Sequence, residues 1–232
     1  MIIDTQGNCK PHHGTQMEYT VEFHCHTNFS KDSRTAPAEL VKAAHRKGLD
    51  RVVVTDHNCI AGAQAAQLLD PELIIIGEEI KTTCGEILAA FVTEEIPRGL
   101  TPGATIHCLR DQGAFISVSH PFDSRSGAWA HDDLLEIAPL VDAIEIFNAR
   151  CMKPGANELA HRFAREHGLP GTAGSDAHAA FELGAACLVM PSFNDADELR
   201  AVVGRGAFKG KLSPLWVHLV SRYARFLNSV AV

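Results

Sequence analysis

Val21-Glu22-Phe23-His24-Cys25-His26 is a short, mostly apolar run that ends in two imidazoles, and the chain repeats that design along its length. Val52-Val53-Val54-Thr55 leads into Asp56-His57-Asn58, and Leu73-Ile74-Ile75-Ile76 into Gly77-Glu78-Glu79. Phe115-Ile116-Ser117-Val118 leads into Ser119-His120-Pro121, and Pro170-Gly171-Thr172-Ala173 into Gly174-Ser175-Asp176-Ala177-His178. Each run has the length and composition of a buried strand. In an α/β barrel the carboxyl ends of the strands converge on one face, and that face carries the chemistry. Imidazoles and carboxylates gathered there suit hard or borderline divalent metals.

Helix signals alternate with these strands. Pro37 and Gly48 bracket a helix near 36–47, and an Ala-rich helix follows near 61–69. Thr101-Pro102 opens a helix that Gly113 stops; further helices are expected near 131–137, 156–167 and 195–203. Residues 73–80 and 86–92 flank the Thr82-Thr83-Cys84-Gly85 turn and read as a hairpin. Strands are also expected at 142–147 and 185–190. Repeated βα units imply a mostly parallel sheet. Ligand-type residues at nearly every strand end, rather than at one switch point, favour a closed barrel over an open sheet.

At 232 residues the chain fits one large α/β domain. Its 46% hydrophobic and 21% charged content predict a packed core, not disorder. A formal net charge of −7, with no basic stripe, argues against long nucleic acids as partners. It does not exclude a phosphorylated substrate, because a metal cluster brings its own positive charge. Seven cysteines at irregular spacing, without a CxxC, predict reduced thiols and a cytoplasmic protein. No signal peptide and no membrane span are expected. Residues 1–18 are expected to be a flexible leader and 19–211 the barrel. Residues 212–232 form an amphipathic helix, packed on the barrel or placed at an interface through which the chain forms a homo-oligomer. A membrane-surface helix is the third reading of that tail.

Side chains alternate along a strand, so His24 and His26 share one face and can grip one metal. Two buried carboxylates such as Glu78 and Glu79 repel unless a cation lies between them. Taken singly, each of these residues also suits a satisfied structural role. Five such groups at five strand ends point jointly to a metal site.

The motifs resemble those of the PHP superfamily, named for polymerase and histidinol phosphatase. His24-Cys25-His26-Thr27 looks like its first motif, Thr55-Asp56-His57-Asn58 its second, and Gly77-Glu78-Glu79-Ile80 its Gly-x-Glu motif. Ser119-His120-Pro121 and Gly174-Ser175-Asp176-Ala177-His178 resemble the third and fourth. The resemblance runs from about residue 20 to about 190. It implies a distorted (β/α)7 barrel with the metal site at the C-terminal ends of the strands. It also implies two or three divalent ions (Mn, Fe or Zn) and phosphoester hydrolysis. The ligand set it implies is His24, His26, Asp32, His57, Glu79, His120, Asp176 and His178, with Glu79 bridging. Leu88 stands where many members carry a His, which makes two ions firmer than three; Glu86 is a candidate substitute.

The expected reaction is attack by a metal-bridging hydroxide on a small phosphomonoester, such as a nucleotide or sugar phosphate. Asp176 or His178 would protonate the leaving oxygen, and Lys81, Arg125 and Arg150 would bind the substrate. The alternatives are a phosphodiesterase or exonuclease on short nucleotides, and a non-catalytic metal-stabilised scaffold.

Overall fold

The computed structural model describes residues 17–123 and 129–230, together with the backbone of 2–3 and 9–10. Near the start of the chain, β1 (Ile2–Ile3) pairs antiparallel with β2 (Cys9–Lys10). The main sheet is built from β3 (Glu18–Cys25), β4 (Arg51–Val54), β5 (Ile74–Lys81), β6 (Glu86–Ala90), β7 (Phe115–Val118), β8 (Ala143–Asn148), β9 (Gly171–Gly174), β10 (Ala186–Pro191) and β11 (Ala207–Gly210). The helices are α1 (Pro37–Lys47), α2 (Ala61–Gln67), α3 (Pro102–Asp111), α4 (His131–Ile137), α5 (Ala156–Glu166), α6 (Ala196–Val202) and α7 (Val217–Val230).

Local chemistry sets the boundaries. The Gly48 backbone takes a left-handed conformation (φ 66°) and ends α1, a place where a Cβ is disfavoured. Thr101 and Asp195 cap α3 and α6 by accepting from the backbone N–H groups of Ala104 (3.3 Å) and Glu198 (2.8 Å).

The strand order is β11-β10-β3-β4-β5-β6-β7-β8-β9. The sheet has nine strands: the seven expected of the barrel, β3 to β9, and two more, β10 and β11, that extend it beyond the ring. Strands β3 to β9 form the barrel ring, closed by a parallel bridge between Cys25 and Ala177. His26 N–H donates to Ala177 O (2.8 Å) and Asp176 N–H to His24 O (2.7 Å) across that closure. The amino-terminal half of β3 instead pairs antiparallel with β10, which in turn pairs with β11. Where β9 and β10 diverge, the buried Glu22 carboxylate spans the seam. It accepts from the backbone N–H groups of Ser175 (2.8 Å), Gly184 (3.0 Å) and His24 (3.1 Å). Pairing is mixed, since the β5–β6 hairpin makes both β5–β6 and β6–β7 antiparallel.

Most ring strands are apolar on both faces, as a helix-covered sheet requires. Val52 and Val54 pack outward with Leu40 and Ala44 of α1 and Ala63 of α2. Val53, Phe23 and Phe115 fill the barrel's floor. On the far side, Ile116, Ile144, Leu109, Leu134 and Phe163 join β7 and β8 to α3, α4 and α5. With its floor apolar, the barrel keeps its polar interior at the carboxyl end. No helix among the described residues is long and apolar enough to cross a membrane.

The C-terminal helix starts at Val217, not at 212, because Ser213 is tied to Ala149 O (2.7 Å) and Pro214 opens a turn. Val217, Ser221 and Ala224 are its buried residues. Leu215, Trp216, Leu219, Tyr223 and Phe226 remain exposed.

Candidate metal centre

Glu79 is the hub of the site. Its Oε2 lies 2.9 Å from His57 Nδ1, 3.3 Å from His24 Nε2 and 3.5 Å from His26 Nε2. Its Oε1 lies 3.2 Å from His120 Nε2 and accepts from Ser119 Oγ (2.8 Å). Asp176 Oδ1 sits 3.2 Å from His26 Nε2 and 3.5 Å from His24 Nε2. Asp32 Oδ1 lies 3.5 Å from His178 Nε2 and 3.6 Å from His57 Nε2. The structure thus brings together all eight residues expected as ligands. Glu78, on the opposite face of β5, accepts from Ile96 N–H (3.1 Å) outside the cluster. Gly174 lies so close to His24 that an added Cβ would collide with its side chain and backbone. Asp176 itself adopts a left-handed backbone (φ 52°), a strained conformation of the kind found at functional sites.

His24, His26, His120 and His178 turn Nε2 inward, whereas His57 presents Nδ1 to Glu79 and Nε2 to Asp32. His24 Nδ1 donates to Glu145 Oε1 (3.0 Å), and His178 Nδ1 donates to Asp176 O (2.8 Å). His26 Nδ1 lies 3.3 Å from Ser30 Oγ. Ser30 Oγ already donates to Asp56 Oδ1 (2.6 Å), so His26 is the donor in that pair. Metal-binding imidazoles are characteristically oriented in this way, through a bond on the far nitrogen. The result is that His24 Nε2 and His26 Nε2 face each other at 3.2 Å beside two carboxylates. Glu79 Oε2 and Asp32 Oδ1 are buried, ringed by these imidazoles, and accept no well-aligned hydrogen bond. Such a set of nitrogens and oxygens fits divalent cations.

The electrostatics describe a hole shaped for positive charge. Burial opposes charge on His57, but Glu79 outweighs it and lifts the imidazole to about 9. The same balance, again led by Glu79, raises His120 to about 9 and His24 well above its ordinary value. His26 goes the other way, to about 3, through burial and the neighbouring His178 and His57. Burial pushes Glu79 and Asp176 up, yet His24 and the imidazoles around it hold both well below the usual carboxylate range.

The cluster opens into a cavity of about 340 Å³ lined by Lys81, Glu86, Arg150, His218, Ser221 and Arg225 beside the candidate ligands. Lys81 is half-exposed and lies 3.5 Å from Glu86. Arg150 is buried at the cavity wall, its guanidinium bonded to both Glu182 oxygens (3.0 and 3.1 Å) and to Ser221 Oγ (2.7 Å). Arg125 lies outside the described residues. Leu88 pairs with Glu79 across the hairpin, and Glu86, two residues nearer the turn, brings its carboxylate 3.7 Å from His120 Nε2. Glu79, Glu86 and His120 together form a possible cation site.

Sequence reasoning missed Glu145 and the α7 residues His218, Ser221 and Arg225. A carboxylate inside the apolar run Ala143-Ile144-Glu145-Ile146-Phe147 was the available signal for Glu145. For α7 the signal was weaker, consisting of polar residues interrupting one helical face.

Residues 22–94 match the PHP domain and residues 154–208 a PHP-associated region. An uncharacterized protein of Methanocaldococcus jannaschii is 35% identical over 141 residues, covering 55% of this chain and 81% of the relative. A second uncharacterized protein of that organism is 33% identical over 178 residues, covering 75% of this chain and 71% of its own length. Among solved structures, a two-domain Bacteroides vulgatus protein containing a predicted PHP-like metal-dependent phosphoesterase superposes with TM-score 0.70 at 20% identity. That match covers 84% of this chain and 65% of the other. PsfC of Pseudomonas syringae gives 0.65 at 17% identity over 93% and 99% of the two chains. A lesion-specific endonuclease of Pyrococcus furiosus gives 0.59 at 17% over 83% and 57%. At such identities the structures speak for the fold alone. The family match carries the motifs that supply His24, His26, His57 and Glu79, and with the Methanocaldococcus relatives it shows that the chain belongs to the PHP family.

Proposed function

We propose that this protein is a metal-dependent phosphoesterase that hydrolyses a small phosphomonoester. The observation that carries the reading is the convergence of His24, His26, Glu79 and Asp176 on one point around the buried Glu79 Oε2. These four would hold one ion. Glu79, His120 and Glu86 would hold a second, and Asp32, His57 and His178 a third. Mn, Fe or Zn suits this mixed nitrogen and oxygen set. Bound ions supply Lewis acidity and bring water's pKa toward neutrality.

The chain's own groups do the rest. Lys81 places a cation at the cavity rim for the phosphoryl oxygens. With two ions bound, His178 on the cavity wall is the group that would pass a proton to the leaving alkoxide, while Asp176, held well below the usual carboxylate range, stays an ionised ligand. Helix α7 narrows the opening above them. This favours a small ester over a polymer and weighs against the diesterase reading that the Pyrococcus endonuclease would suggest. The test is phosphate release by Mn²⁺-reconstituted protein across a panel of phosphomonoesters and nucleotides, with His24→Ala as control. Metal-dependent release from one compound class supports the reading. No release by metal-loaded protein, with nucleoside monophosphates liberated from short oligonucleotides instead, would replace it with the diesterase.

A further inference from the structure

We infer that Arg225, carried by the C-terminal helix and not by the barrel, is the residue that grips the substrate's phosphoryl group. The substrate class rests on the phosphoesterase reading above; the anion site rests on geometry.

Helix α7 is fastened across the site by polar contacts. Ser221 and His218 meet Arg150 at 2.7 and 3.5 Å, and Asn228 Nδ2 donates to Lys31 O at 2.9 Å. Arg225 Nη2 donates to Asp32 Oδ2 at 2.6 Å. The helix therefore forms a wall of the cavity, not merely a brace on the barrel's flank.

Four carboxylates line that cavity: Asp32, Glu79, Glu86 and Asp176. A phosphate dianion entering it needs fixed positive charge in addition to the ions. Three cations line the same space. Arg150 is spent on Glu182 and Ser221. Lys81 lies beside Glu86 and offers only a point charge. Arg225 uses one nitrogen on Asp32, and its other N–H groups have no protein partner among the described residues. A guanidinium with donors to spare presents the fork that matches two phosphate oxygens. Asp32 holds it beside His57 and His178, at the edge of the cluster. Arg225 also lines the adjoining cleft of about 770 Å³ that opens past Lys31, Lys81 and Arg98. It thus stands where the ester's phosphoryl end would meet the rest of the molecule.

The probe is inorganic phosphate, titrated calorimetrically into metal-loaded, full-length wild type, Arg225→Gln and Arg225→Lys, with metal content and Tm recorded for each. Because the Arg225 side chain is largely exposed, both variants should fold. The expected result is at least about a tenfold loss of phosphate affinity in Arg225→Gln, from losing charge-assisted bonds, at unchanged metal content and Tm. Arg225→Lys should recover part of it. Phosphate affinity within about twofold of wild type in Arg225→Gln would overturn the assignment. So would a loss that disappears when excess metal is supplied, because Arg225 would then act only by positioning Asp32. Phosphate binding that depends on Arg225 in a protein that hydrolyses no ester would sink the enzymatic reading and leave this site standing.

Discussion

His24 Nδ1 lies 3.0 Å from Glu145 Oε1, and that single contact decides which nitrogen of the imidazole faces the cavity. The same carboxylate accepts from His120 N–H through its other oxygen at 2.7 Å. Glu145 therefore orients a residue of each of two neighbouring candidate cation sites without belonging to either. Glu145→Gln keeps the size but sets an amide N–H₂ against one of these donors. It should weaken metal binding by about 10- to 100-fold, the usual effect of losing such a support. Metal titration with a competing chelator measures this. Wild-type affinity in the variant would mean that the His24 ring is fixed by packing alone.

Glu78 and Glu79 are adjacent in sequence and opposite in role, because consecutive strand residues face opposite sides. Glu79→Gln should strip metal and activity together; Glu78→Gln should leave both intact. Burial pushes the Glu78 carboxyl up to about 8, and Glu95 adds to the shift. Between its ordinary value of 4.5 and about 8, the folded protein holds a proton that the unfolded chain has released. Wild-type stability therefore falls as pH rises through that window and levels off above it. Glu78→Gln removes the titration and keeps the acceptor for Ile96. Its Tm should exceed wild type at about pH 9, by a stability gain on the order of 1–3 kcal/mol, and match or fall below it at about pH 5. A difference in Tm that does not change with pH would show that Glu78 is not the titrating group.

Metal binding must displace protons. His57 and His120, raised to about 9 by Glu79 against their burial, are charged near neutral pH in the metal-free protein. A metal ligand must be neutral, so binding releases their protons and tightens as pH rises toward 9. Calorimetry in buffers of different ionisation enthalpy counts the protons, and more than one per protein is expected at about pH 7. Chelation should lower Tm, since the ions bind only the folded chain. Proton-neutral binding at that pH would contradict the electrostatic account of the cluster.

The ring and the cluster of candidate ligands at its carboxyl end were legible because both depend on local pattern. Apolar runs with His, Asp or Glu at their ends fix strand, face and site in a few residues, as with Val52–Val54 before His57. What escaped depends on where distant segments dock. Strand β11, Ala207–Gly210, is fully exposed, with no apolar alternation to mark it. Glu145 looks like an odd polar residue in a strand until His24 is seen beside it. The tail is evidently amphipathic, but its exposed stripe is the more apolar side. Its position over the site is set by Arg150, Asp32 and Lys31, which no periodicity reveals.

Arg150 ties that tail to the barrel. Its guanidinium joins Glu182, which also accepts from His178 N–H (3.3 Å), to Ser221 on α7. Burial already pushes the Glu182 carboxyl up, with Arg150 working against the shift. Arg150→Met leaves that carboxylate uncompensated and should cost about 3–5 kcal/mol. The double variant Arg150→Met/Glu182→Leu removes the stranded charge along with the pair, and such apolar replacements of buried ion pairs are often near neutral. It should recover most of the Tm. It should not recover the docking of α7, because Ser221 Oγ still lacks its donor. Limited trypsin digestion at Arg222 and Arg225 separates the two effects. Faster cleavage in both variants, with Tm restored only in the double one, places Arg150 as the helix's anchor. Cleavage that follows Tm would instead mean that α7 opens only when the barrel does.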